Sequence, residues 1–141
     1  MKTIPSNNRF KQSARRQKGA QVRVSITGVP YAQLKSRGRL GGPTEWSNTV
    51  RKETAHFEPV RGPCRVRVVF RLPPSKYPSD HPYGMDLDNL LKRFFDALQE
   101  TVFRAAPGRD GCVIELEARK VRVGSDTEAG ADLEIEPIGV A

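Results

Sequence analysis

The strongest pattern of apolar and polar positions lies between Met85 and Val102. Leu87, Leu90, Leu91, Phe94, Phe95, Leu98 and Val102 recur at the i, i+3, i+4, i+7 spacing that places side chains on one face of a helix. That face predicts burial. Asp88, Asn89, Lys92, Arg93 and Asp96 gather on the opposite side. Asp86 takes the N-cap position after the helix-unfriendly Tyr83-Gly84 pair.

Elsewhere the period drops to two. Gln21 to Thr27 alternates Val22, Val24 and Ile26 with Arg23, Ser25 and Thr27, which predicts a half-buried strand ended by Gly28 and Pro30. Thr44, after Pro43 and before Glu45, is a good N-cap for a helix to about Phe57, with Trp46, Thr49, Val50 and Phe57 on one face. Arg65 to Leu72 predicts a second strand, with Val66, Val68 and Phe70 opposing Arg65, Arg67, Val69 and Arg71. Pro73, Pro74, Pro78 and Pro82 punctuate the loop before the central helix, where His81 reads as a surface residue rather than a proton-transfer group. Arg104 to Gly111 is a turn with Asp110 at the entrance to a third strand, Cys112 to Val123. In that strand Ile114, Leu116 and Ala118 share a face, and Lys120 keeps step with them, tolerable if it reaches a carboxylate cluster at the edge of the core. Ala131 to Ile138 predicts a short fourth strand. The order β, α, β, α, β, β predicts an α+β fold: a small mixed sheet of about four strands with two helices on one face, rather than a doubly wound parallel sheet.

The length of 141 residues, without an internal repeat, suits a single domain: residues 1–20 as a flexible basic arm and 21–141 as the folded unit. No run of about 18 apolar residues is present to span a membrane, and the basic N-terminus lacks the apolar stretch of a signal peptide. A cytoplasmic protein is expected. Cys64 and Cys112, far apart in the chain, read as two small buried thiols in a reducing compartment rather than as a disulfide or a zinc site.

The net charge of +8 is unevenly placed. No Asp or Glu precedes Glu45, whereas Lys and Arg occur ten times in residues 1–44; the remainder holds 14 basic and 16 acidic residues. Such an excess suits a polyanion partner, with nucleic acid foremost. Arg15, Arg16 and Lys18 would serve from the arm, and Lys35, Arg37 and Arg39 from a loop containing Gly38, Gly41 and Gly42. A solubilising tail and a plain solvated loop are the alternatives. The arginines of the second strand also have two readings. They either face DNA or cross the sheet to pair with glutamates of a neighbouring strand.

Asp86 and Asp88 are equally ambiguous on helix physics alone. Free N–H groups and the helix dipole favour carboxylates at a helix start, so one reading is a capping Asp86 with an Asp88, Lys92, Asp96 ladder at i, i+4. The other is chemical.

The set Asp86-Leu87-Asp88-Asn89-Leu90-Leu91-Lys92, then Asp96-Ala97-Leu98, then Asp110 with Val113, Ile114 and later Lys120, resembles the RusA family of Holliday junction resolvases. The resemblance runs from about residue 21 to 138 and includes the Gly28/Pro30 turn, the basic glycine-rich loop and the helix carrying Trp46. It implies a crossover junction endodeoxyribonuclease of DNA recombination and repair, from a bacterial or phage source. Asp86, Asp88 and Asp110 would be its acidic metal ligands and catalytic residues. Lys92 would be the catalytic-site lysine, with Asn89, Asp96 and Lys120 in support. It also implies Mg²⁺ as cofactor, with Mn²⁺ as a substitute, and a homodimer cutting two strands symmetrically across a four-way junction. Three features depart from the family pattern. Arg109 stands where an acidic residue is frequent, an AAPG turn precedes it, and Pro5-Ser6-Asn7-Asn8-Arg9 lies before the first strand instead of after it.

Phosphodiester hydrolysis suits these residues. It needs a hard cation to stabilise charge on the phosphate, and Mg²⁺ binds through one to a few carboxylates while keeping waters. Aspartates from a helix start and a strand start would converge on it, with Lys92 beside the phosphate. Two other functions compete: an architectural junction-binding protein whose carboxylates only brace the helix, and a related nuclease for other branched DNA.

Overall fold

A computed structural model of the chain describes residues 21–31, 43–76, 85–106 and 108–139. The alternation in the second strand is reproduced residue by residue: Val66, Val68, Phe70 and Leu72 are buried, and Arg65, Arg67, Val69 and Arg71 lie half-buried on the other face. The elements are β1 (Val22–Thr27), α1 (Pro43–Thr54), β2 (Cys64–Leu72), α2 (Leu87–Leu98), β3 (Val113–Arg122) and β4 (Gly130–Pro137). Short 3₁₀ turns occupy Arg109–Cys112 and Asp126–Glu128. The α+β fold of two helices and four strands is therefore as expected.

Both helices cover the same face of the sheet. Trp46 of α1 stacks on Phe94 of α2 at 6.3 Å between ring centroids, and Phe70 of β2 meets Phe94 edge-on at 5.4 Å. Val22 and Ile26 of β1 and Leu133 and Ile135 of β4 complete this core. The helices are shorter than their periodicity suggests. α1 ends at Thr54, whose hydroxyl bonds the carbonyl of Val50 at 2.7 Å and the hydroxyl of Thr101 at 2.8 Å. α2 ends at Leu98, and a turn closed by Phe103 N to Leu98 O (3.1 Å) carries Val102 into the core outside the helix.

β3 and β4 follow one another in the chain without being neighbours. The sheet order is β1-β4-β2-β3, so β4 inserts antiparallel between β1 and β2, and β3 pairs parallel with β2 at an edge. The insertion is close: a Cβ on Gly130 would stand 1.9 Å from the Ile26 carbonyl oxygen. β1, β2 and β3 therefore point the same way, and their C-terminal ends share one end of the sheet with the starts of both helices. A cavity at that upper end is lined by Thr27, Tyr31, Glu45, Thr49, Lys76 and Asp126. The opposite, lower end carries Cys64 and Cys112, with Sγ atoms 3.9 Å apart and both thiols free.

The face away from the helices resolves the question left by the β2 arginines. Arg65 bonds Glu115 of β3 and, at 2.9 Å, Glu136 of β4. Arg67 lies 3.3 Å from Glu117 and 3.4 Å from Glu134, Arg23 reaches Glu134 at 2.6 Å, and Arg71 pairs with Asp132. Glu134 and Glu136 are only 4% and 2% exposed, and buried carboxylates require such counter-ions. The arginines pair across the sheet.

Candidate active site

Asp86, Asp88, Asn89 and Lys92 come together by local geometry alone, because they occupy the N-cap and the first two turns of α2. All four are exposed. Asp86 stands at the N-cap position, yet its side chain makes no capping hydrogen bond; Asn89 Nδ2 donates to Asp86 Oδ2 at 3.5 Å instead. The Asp88, Lys92, Asp96 ladder of the capping alternative does not form. Asp96 pairs with Arg93 at 3.4 Å, and neither Asp88 nor Lys92 has an ion-pair partner among the described residues. Neither carboxylate at the helix mouth makes a side-chain cap or an ion pair among the described residues, while Asp88 lies in the first turn, where the helix dipole favours an acid.

Lys120 joins this group from the sheet. Its Nζ donates to the backbone carbonyl of Met85, immediately before Asp86. Through that main-chain oxygen Lys120 tethers the helix entrance. Burial of its stem on the apolar side of β3 directs it there.

Asp110 lies elsewhere. It sits in the 3₁₀ turn before Val113, and Val113 pairs with Cys64 at the lower end of the sheet, whereas Lys120 pairs with Phe70 near the upper end. Seven steps of about 3.3 Å separate Val113 from Lys120, on the order of 20 Å. A parallel β2-α2-β3 connection requires this, since the helix starts where β2 ends and β3 starts where the helix ends. The convergence of a helix-start and a strand-start aspartate does not occur within one chain. Consistently, no three His, Cys, Asp or Glu side chains among the described residues are grouped to hold a metal ion. Arg15, Arg16, Lys18, Lys35, Arg37, Arg39 and His81 lie outside the described residues. Tyr31 and the first turn of α1, which bracket Lys35 to Arg39 in the chain, both line the cavity at the upper end.

The sheet holds one feature that local reading overlooked. Ile114 and Leu116, on the apolar face of β3, are the exposed large apolar residues among those described.

A family profile described as Endodeoxyribonuclease RusA matches residues 44–136, from the start of α1 to the penultimate residue of β4. The chain belongs to the RusA family of endodeoxyribonucleases. It is accordingly a nuclease, of a family that acts on branched DNA junctions and generally depends on a divalent metal. The matched span contains Asp86, Asp88, Asn89, Lys92, Asp96, Asp110 and Lys120. No curated protein matches the chain. No helix among the described residues is long and apolar enough to cross a membrane.

Proposed function

We propose that this RusA-family chain resolves four-way DNA junctions as a homodimer, by Mg²⁺-dependent, paired and symmetric phosphodiester hydrolysis, with Mn²⁺ able to substitute. The observation that carries the reading is the pair of exposed carboxylates at the mouth of α2, neither engaged in capping nor in an ion pair.

Asp86 and Asp88 would offer the hard oxygen donors that suit Mg²⁺. When bound, such a cation supplies Lewis-acid stabilisation of charge on the phosphate and acidifies water. The chain's own residues do the remaining work. Lys92, exposed one turn beyond Asp88, would hold its ammonium against the charge that develops on the scissile phosphate. Asn89 orients Asp86 through its amide, and Asp96 keeps Arg93 alongside the helix. Asp110 is assigned the third carboxylate. Lys35, Arg37 and Arg39, with Arg15, Arg16 and Lys18 nearer the N-terminus, would offset the repulsion between DNA and the aspartates. A DNA-associated, cytoplasmic location goes with this activity.

The deciding experiment is cleavage of an end-labelled synthetic four-way junction with and without Mg²⁺, beside Asp88→Asn and a linear duplex of the same sequence. Symmetric nicks that need the metal, spare the duplex and fall at least about 100-fold in the variant are expected. Tight junction binding without cutting would overturn the catalytic reading in favour of an architectural one.

A further inference from the structure

Most basic side chains of the sheet and of α2 are committed to a partner. On the open face Arg23, Arg65, Arg67 and Arg71 all pair with carboxylates of β3 or β4. Arg93 pairs with Asp96, and Lys76 lies over the Tyr31 ring, 4.3 Å from its centroid. Lys120 is held by the Met85 carbonyl. Arg122 differs from all of these: it is exposed, and no hydrogen-bond acceptor or carboxylate among the described residues holds it.

Its position follows from the register. Leu72, the last residue of β2, pairs with Arg122, the last of β3, as Phe70 pairs with Lys120. Side chains alternate along a strand, so Arg122 stands on the same side as Lys120, the side that the helices cover, and Arg119 stands on the open one. Lys120 marks the mouth of α2, because its ammonium reaches the residue before Asp86. Arg122 is two residues further on, about 7 Å along the strand, at the upper end itself. Lys92, in the second turn of α2, likewise has no ion-pair partner among the described residues. Two uncommitted positive charges thus stand near the aspartates, one carried by the helix and one by the sheet.

We infer that Arg122 is a positioning residue for DNA: its guanidinium grips a backbone phosphate next to the one that meets Asp86 and Asp88. The planar fork of an arginine offers two parallel N–H groups that match phosphate oxygens, and the end of a paired strand is a rigid base for it. A phosphate contact fixes where the DNA lies without reading a base, so Arg122 acts on binding and register, while Lys92 keeps the scissile phosphate. Arg119 supplies an internal contrast. It is exposed on the same strand with the same charge, but it points away from α2. The place of Arg122 rests on the sheet register, whereas the identity of the neighbouring site rests on the nuclease reading above.

Two measurements on the full chain separate these. Affinity for a synthetic four-way junction is followed over a range of salt without divalent metal, and cleavage is followed with Mg²⁺ at rising junction concentration. Arg122→Ala should weaken binding about 10-fold and reduce the slope of log affinity against log salt by about 1. It should raise KM by about the same factor and leave kcat within about twofold, because the lost contact is made equally before and during the reaction. Arg119→Ala should match the natural chain in each of these. Arg122→Lys keeps the charge and loses the fork, so the natural slope should return while affinity stays about threefold low. Should Arg122→Ala lose its native circular dichroism spectrum, Arg122→Gln, which keeps most of the stem, takes its place with the same expectations. A native salt slope and a native KM in the folded, charge-removed variant would overturn the inference, while cleavage by the natural chain still upholds the nuclease reading. Equal losses from Arg119→Ala and Arg122→Ala would overturn it too, as an effect of net charge alone. Junction binding without cleavage would instead overturn the nuclease reading and leave Arg122 to be judged by affinity and slope. A natural chain that binds no junction at any salt would overturn both.

Discussion

Lys120 of β3 donates a hydrogen bond to the backbone carbonyl of Met85, so an edge strand fixes the residue that precedes Asp86. A half-buried lysine on the apolar side of a sheet is retained where its ammonium has such a partner. Lys120→Met keeps the stem and removes the donor. It should cost about 1–3 kcal/mol in urea unfolding. It should also lower cleavage at a temperature where the fold is intact, with the Mg²⁺ midpoint shifted upward because Asp86 loses its fixed backbone. Native cleavage at the native Mg²⁺ midpoint would remove Lys120 from the site.

Arg65 bridges Glu115 and the almost wholly buried Glu136. Arg65→Ala leaves that carboxylate uncompensated, and a loss on the order of 2–3 kcal/mol is expected from denaturant melts. Junction affinity at fixed salt should stay unchanged, because the guanidinium is committed to its own sheet. Weaker junction binding with native stability would return the β2 arginines to the DNA interface.

Burial pushes the Cys64 thiol up to about 12, with the nearby Cys112 adding to the effect, and burial raises Cys112 as well. The folded chain therefore holds these protons more tightly than the unfolded chain, whose thiols titrate near 9.0. Their contribution to stability is complete below that pH and is lost as pH rises toward about 12. Urea midpoints should fall along the alkaline limb, and Cys64→Ala should flatten that fall whatever its effect at neutral pH. An equally steep limb in the variant would assign the alkaline loss to other groups.

Gly130 lets β4 approach β1 so closely that a Cβ would meet the Ile26 carbonyl oxygen. Gly130→Ala must separate the two strands, and about 2–3 kcal/mol of destabilisation is expected in thermal or urea unfolding. A melting temperature within error of the natural chain would mean that the strands part without cost.

Val22, Val24 and Ile26 announced the buried side of β1, and the leucine and phenylalanine stripe announced that of α2, because a period of two or 3.6 reports which face is covered without reference to distant residues. The ends of those elements were less readable. Thr54 bonds Thr101, and Val102 leaves the helix while staying in the core; both depend on contacts between segments remote in the chain. The partners of Arg65 and Arg67 were undecided for the same reason, since a strand does not encode its neighbours until β4 enters between β1 and β2.

The cluster of Asp86, Asp88, Asn89 and Lys92 was determined by sequence alone, because all four lie within two turns of one helix and helical geometry brings them together. Tertiary structure decided that the two aspartates are free of capping and pairing, that Lys120 secures their helix, and that Asp110 lies at the other end of the sheet. The physical reason is the parallel pairing of β2 with β3, which sends the chain back along α2 and starts β3 far from where the helix began.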